Sequence, residues 1–305
     1  MSLTSAVKRF RSPGASHRIE WSAVAVPGFL IIWSAVVIVP LLVVVVFSFF
    51  RMRMFQVIYD PTLDTWRSLI ETGRWLAAVR TLRLAVTMTI LELLLAFPFA
   101  LWLAKGCKSN YVKAIIITLL TIPFFLDSSS RVIIWRAILG TNGIVNTALT
   151  SLHIVSKPIT WLLYSEFSVH FGMLGSYFPA MVFPIFMIIT LIDDDYLQAS
   201  ADLGASPGQT LLNVIIPMSL PGVMAGLVFT LVPLMAAFIE PQMLGGGFVN
   251  LLGDSVNSAL QELKYPTAAA LSTVVVALLG IGLTALVLTT RKKIDLSTIF
   301  QAVQK

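Results

Sequence analysis

The side chains in this sequence with chemistry to offer are a few acids and aromatic rings set among long apolar runs. Asp127 follows Pro123, Phe124 and Phe125, and Glu240 stands just before Pro241, so both fall where a helix ends or breaks. An ionisable group there is costly unless it is paired or faces a water-filled path, which makes both acids candidates for gripping a cationic solute. Each also has a plainer reading, as a solvated or helix-capping group at the outer interface. Glu92, lying among leucines, is expected to pair with another helix or with Arg83 or Lys105 reaching inward. Trp135, Tyr177, Phe125 and Phe238 are the candidate rings to join Asp127 and Glu240, and they offer cation–π faces to an amine. Rings in such runs also serve as lipid-facing or interfacial anchors.

Enzymatic chemistry finds no constellation to work with. His17, His153 and His170 are scattered without the spacing of a metal site, and Cys107 is the one cysteine, which excludes an internal disulfide framework. Gly245 to Gly247 lacks the Lys-Ser/Thr of a phosphate-binding loop and reads as a flexible outer turn. No catalytic residue, metal or cofactor is therefore expected in this chain, and no paired aspartates on facing spans point to an intramembrane enzyme.

The elements that must position these residues are membrane spans. Of 305 residues, 57% are hydrophobic and 12% charged, with a mean hydropathy of +0.88. That composition belongs to an integral membrane protein. A net charge of +6 would suggest nucleic acid in a soluble domain; here it reflects basic residues flanking spans, and no nucleic acid is expected. Six apolar stretches are expected to cross: about 22–50, 84–104, 111–135, 167–192, 221–239 and 268–290. The third is irregular, with a bend expected near Pro123. Residues 1–21 and 291–305 form the tails. Lys8, Arg9, Arg11, Arg18, Lys105, Lys108, Lys113, Arg291, Lys292 and Lys293 gather on one side, which the positive-inside rule makes cytoplasmic. Arg51, Arg53, Arg67, Arg74 and Arg80 nearly balance them on the other, and an inverted arrangement stays open on charge alone.

One polar break sits on the same side as the tails. Asp193, Asp194 and Asp195 open a helix at its positive end, and Gly204 stands where a left-handed residue past the helix end belongs. Ser206 then reads as an N-cap, Pro207 as the first helical residue and Gln209 as the capping-box partner, with Pro217 and Pro221 marking the end of that second helix.

The stretch QASADLGASPGQTLLNVIIPMSLPG, from Gln198, resembles the EAA loop of ATP-binding-cassette importer permeases, with its match strongest at Gly204, Ala205, Pro217 and Pro221. It departs from the pattern at Gln198, where the family usually has glutamate, and at Ser200, which replaces an alanine. FPFALWLAK from Phe97, TIPFFLDSSSR from Thr121, TNGIVNTAL from Thr141 and PLMAAFIEPQMLGGG from Pro233 are similar to the polyamine (spermidine/putrescine) permease branch. The resemblance implies an all-α integral membrane protein of the MetI-like type I importer permease fold, placed in a bacterial cytoplasmic membrane with both termini inside. It also implies a second permease subunit, two ATPase subunits that bind ATP and Mg, and an extracytoplasmic solute-binding protein. Gln198, Ala199, Ser200, Asp202, Gly204, Ala205 and Pro217 would then form the surface gripped by an ATPase, with small residues permitting close approach. Related permeases carry opines, other amines, iron or phosphonates, so the loop speaks to the drive and not to the cargo. An ion-coupled secondary transporter would explain the spans and acids, but not the capped double helix.

Overall fold

The computed structural model describes residues 21–54 and 56–291, without the side chains of 21–25 and 289–291. Both tails, and with them Lys8, Arg9, Arg11, Arg18, Lys292, Lys293 and His17, lie outside the described residues. The chain folds into helices α1 (Trp21–Phe47), α2 (Asp64–Glu71), α3 (Trp75–Leu101), α4 (Asn110–Phe125), α5 (Ser128–Leu139), α6 (Ile144–Ser151), α7 (Glu166–Leu191), α8 (Asp194–Asp202), α9 (Pro207–Thr210), α10 (Ile216–Ala236), α11 (Ile239–Leu244), α12 (Leu252–Gln261) and α13 (Tyr265–Arg291). A two-stranded antiparallel hairpin, β1 (Arg51–Arg53) and β2 (Gln56–Ile58), follows α1. Among the described residues, six helical stretches are long and apolar enough to cross a membrane.

α7 is the hub, packed against α3 and α10. Lipid tails are as apolar as leucine, so close packing must hold these helices together, and small residues allow it. Gly222 and Gly226 of α10 face α7 so closely that a Cβ on Gly222 would sit 2.6 Å from the Pro184 carbonyl and one on Gly226 2.8 Å from Met181 Sδ. Two buried apolar clusters result. One joins Leu84, Met88, Val132, Val169, Met173 and Leu234, and the other Ala96, Ala100, Met181, Val182, Ile185 and Ile189. By contrast α1 is largely exposed along its described length and packs against α13. An apolar helix so exposed suits lipid or another membrane subunit.

The spans depart from their sequence-based bounds where local signals hide. The second begins at Trp75, not Leu84, since Arg80 and Arg83 stay on the helix and line a pocket with Glu166 and His170. It finishes in a π-turn, Trp102–Gly106. The stretch expected as the third span, 111–135, is two helices broken by extended backbone at Leu126 and Asp127; α4 is too short to count among the six, whose third stretch is Ser128–Ser151, and Pro123 lies inside α4 rather than at the bend. In the fifth, Pro217 and Pro221 do not end a helix. α9, a π-turn at Leu211–Ile215 and α10 run on as one span, Pro207–Ala236. The π-turn sends the Ile216 N–H to the Leu211 carbonyl and leaves a carbonyl over, so amide-less Pro217 falls where the ladder already skips a bond. The span stops at Ala236, and Phe238 caps α11 instead of closing the span.

Candidate coupling helix and translocation site

The α8–α9 unit is built almost wholly from local hydrogen bonds. The Asp193 carboxylate accepts from the Asp195 N–H at 3.2 Å and starts α8. At its far end the Gly204 N–H donates to the Ala201 carbonyl at 2.9 Å and the Ala205 N–H to the Ser200 carbonyl at 3.1 Å, with Gly204 at φ +79°. This paired closure needs a left-handed residue. Ser206 and Gln209 form the reciprocal capping box, with the Ser206 N–H donating to Gln209 Oε1 at 2.8 Å. Ser200 and Thr210 join the two helices through their hydroxyls at 2.9 Å. Ser200, where the family pattern has alanine, therefore adds a tie inside the unit.

A rigid piece results that buries almost nothing of its own chain. No residue of α8 or α9 is buried, and Leu203 is 88% exposed. Gln198, Ala199 and Asp202 are exposed and Ala205 half-buried, while Pro217 lies on α10 past the π-turn, apart from the α8 surface. Lys105, at the end of α3, ties the unit to the bundle by donating to the Ile192 carbonyl at 2.6 Å and to the Asp194 carboxylate.

A polar layer crosses the middle of the bundle. Met88 and Ala96 of α3 belong to the two apolar clusters, and between them, one turn from each, stands Glu92. On α7, Met173 and Met181 likewise flank Tyr177; on α10, Thr230 lies one turn before Leu234. Each helix thus interrupts its buried stripe with a polar group at the place where the two clusters meet. Glu240, 2% exposed, joins from α11 by accepting from the Tyr177 hydroxyl at 3.3 Å. Arg131 of α5 donates to the carbonyls of Pro123 and Ser176, each at 3.3 Å, and to Ser128 Oγ at 2.9 Å. Its guanidinium thereby ties the broken end of α4 to α7. A cleft of about 570 Å³ runs beside this layer, walled by Arg131, Ser176, Tyr177, Phe124, Phe229 and Pro233.

The sequence-proposed residues divide across this geometry. Glu240 and Tyr177 come together, and Trp135 lies nearby, edge-on to Phe171 at 5.0 Å and against Gly175. Asp127 does not join them. It is exposed and N-caps α5 by accepting from the Ser129 N–H at 2.8 Å. Phe125 is 85% exposed, and Phe238, 37% exposed, stands at the head of α11. Lys105 does not reach Glu92, since Ile192 and Asp194 hold it, and Arg83 lines a separate pocket with Arg80, Glu166 and His170. Arg131, Ser176 and Thr230 carry no sequence motif; the signal available was one charge and two hydroxyls at the rung where an apolar stripe lapses.

A broken-helix bundle with a mid-depth polar layer and an exposed, doubly capped helix pair defines the membrane component of a transport system. The model of the binding-protein-dependent transport system inner membrane component family matches residues 96–294, and the chain belongs to that family. It is 30% identical over 223 residues to the spermidine/putrescine transport system permease protein PotB of Escherichia coli strain K12, covering 73% of this chain and 80% of that one. Against PotB of Haemophilus influenzae the identity is 32% over 225 residues, with 72% and 78% covered. A putative 2-aminoethylphosphonate transport system permease protein, PhnU of Salmonella paratyphi A, is 29% identical, with 73% and 77% covered. The fold matches a chain in the crystal structure of a bacterial alginate ABC transporter in complex with an alginate pentasaccharide-bound periplasmic protein. That match has a TM-score of 0.73 at 15% identity and covers 90% of this chain and 95% of the other.

Proposed function

We propose that this chain is the translocating permease subunit of an ATP-driven importer of polyamines, spermidine or putrescine, delivered by an extracytoplasmic solute-binding protein. The carrying observation is the α8–α9 unit, capped at both helix starts and closed at Gly204, yet with nothing of its own to bury. A rigid helix that its own chain leaves uncovered is suited to a groove on a separate ATPase, which would hold the ATP and Mg. A second permease subunit completes the path, two ATPases drive it, and α8 lies on the cytoplasmic side with both termini. Closing the ATPases draws the α8 helices together, and the bundle switches the face to which its polar layer opens.

A polyamine fits the layer because Glu240 offers a buried carboxylate and Tyr177 and Trp135 offer ring faces to an ammonium group. The two PotB relatives support the same cargo. The test is uptake into proteoliposomes holding the purified complex. We expect labelled spermidine or putrescine to accumulate only with ATP, both ATPases and the loaded binding protein. Gradient-driven uptake by this chain alone would overturn the importer reading. Stimulation of ATP hydrolysis solely by anionic solutes, such as a phosphonate, would overturn the cationic cargo.

A further inference from the structure

We propose that Glu92 is a second binding site for an ammonium group of the transported amine, opened when α3 and α10 part. The inference rests on the polyamine reading above. Glu92 is fully buried, yet both of its carboxylate oxygens lack a hydrogen-bond partner among the described residues. Thr230, also fully buried, faces it from α10 outside bonding geometry, and its Oγ1 is unpartnered too. A leucine or methionine at position 92 would continue the stripe from Met88 to Ala96 and join the two clusters, so packing gives no reason for an acid here. A buried carboxylate without donors is tolerated only as the neutral acid or beside a cation.

Among the described residues, no neighbour supplies that cation. Arg131, the guanidinium nearest the layer, commits Nη1 and Nη2 to Pro123, Ser176 and Ser128 and keeps only its buried Nε–H unpartnered, and neither an ion pair nor a hydrogen bond joins it to Glu92 among the described residues. Lys105 is held at the end of the helix. A primary ammonium brings three N–H donors and a full charge. The Glu92 carboxylate and Thr230 Oγ1 together accept what it offers, and both are vacant. Tyr177 stands within electrostatic range of Glu92 and bonds Glu240, so the layer presents two acids around one ring. That arrangement suits a chain molecule with an ammonium at each end better than a monoamine.

The experiment compares the wild-type complex with Glu92→Gln and Glu92→Asp in proteoliposomes, at saturating binding protein, with labelled spermidine, putrescine and a monoamine competitor. Glu92→Gln is expected to lower polyamine uptake about ten- to a hundredfold and to erase the preference for polyamine over monoamine, with Glu92→Asp partly restoring both. The thermal midpoint of the Glu92→Gln complex stays level or rises, since an unpaired acid has been removed. Wild-type uptake and preference in Glu92→Gln, or a midpoint that falls in step with uptake, would overturn the site. If that variant does not assemble, carbodiimide labelling of the wild-type complex decides: spermidine protects Glu92 if the site is real and leaves its labelling unchanged if not. Wild-type complex that moves no amine at all refutes the polyamine reading itself, a separate result.

Discussion

Replacing Gly204 by valine tests the coupling unit at its most constrained backbone position. Gly204 holds φ +79°, where an L side chain costs roughly 1–2 kcal/mol, with a β-branched one at the upper end. No clash adds to this, because a Cβ at Gly204 would meet nothing within 4 Å. The strain falls on the two closing bonds, from Gly204 to Ala201 and from Ala205 to Ser200. Since α8 has no buried residue, nothing in the core resists its loosening. A cost of this size shifts the ordered fraction of the loop by a factor of about 5–30. Co-purification of the ATPase at limiting concentration, and ATP-driven uptake, are therefore expected to fall about 5–30-fold in Gly204→Val, while the thermal midpoint of the permease stays put. Gly204→Asn should keep most of both, as asparagine tolerates the left-handed region. Wild-type pull-down and uptake in the valine variant, or equal losses in valine and asparagine, would refute the reasoning.

Three further outcomes follow from the geometry. Lys105→Met removes the bonds to Ile192 and Asp194; since Asp194 is exposed, stability should change by under about 1 kcal/mol, while ATP consumed per solute imported rises, as measured in proteoliposomes. Tyr177→Phe deprives buried Glu240 of its hydroxyl donor, at a cost of about 1–3 kcal/mol, and should lower the thermal midpoint and slow polyamine uptake. Gly222→Ala forces a methyl against the Pro184 carbonyl and should destabilise the α7–α10 pair by about 1–3 kcal/mol, read as a lower midpoint of the detergent-solubilised complex.

What the sequence made legible was what is local. The caps at Asp193 and Ser206 and the turn at Gly204 involve residues two to five apart, so their hydrogen bonds can be read from spacing, and the structure contains each of them. The break near Asp127 was visible as a span too short to cross, though not that Asp127 itself would be spent on capping α5. Pro217 and Pro221 misled because a π-turn has no sequence code of its own. Glu92 misled for another reason. Which groups lie opposite it depends on how α3, α7 and α10 pack, and Lys105, close in sequence, is occupied by a loop some ninety positions away. The polar layer spans five helices, so no one window of the chain contains it.

The anchoring of α3 at both ends makes it a lever. Near one end, the buried Thr81 hydroxyl accepts from the Leu252 N–H at 2.8 Å; at the other, Lys105 holds the chain leading into α8. If the helix turns as a rod about Thr81, the arm to Lys105 is about 36 Å and the arm to Glu92 about 16 Å, at about 1.5 Å per residue. A pull on the capped helix pair therefore arrives at the polar layer reduced to a little under half. If an ATPase moves that pair by several ångströms, as proposed, Glu92 shifts on the scale of one hydrogen bond, enough to bring its carboxyl into or out of bonding reach of Thr230 and small enough to leave the apolar clusters on either side in register.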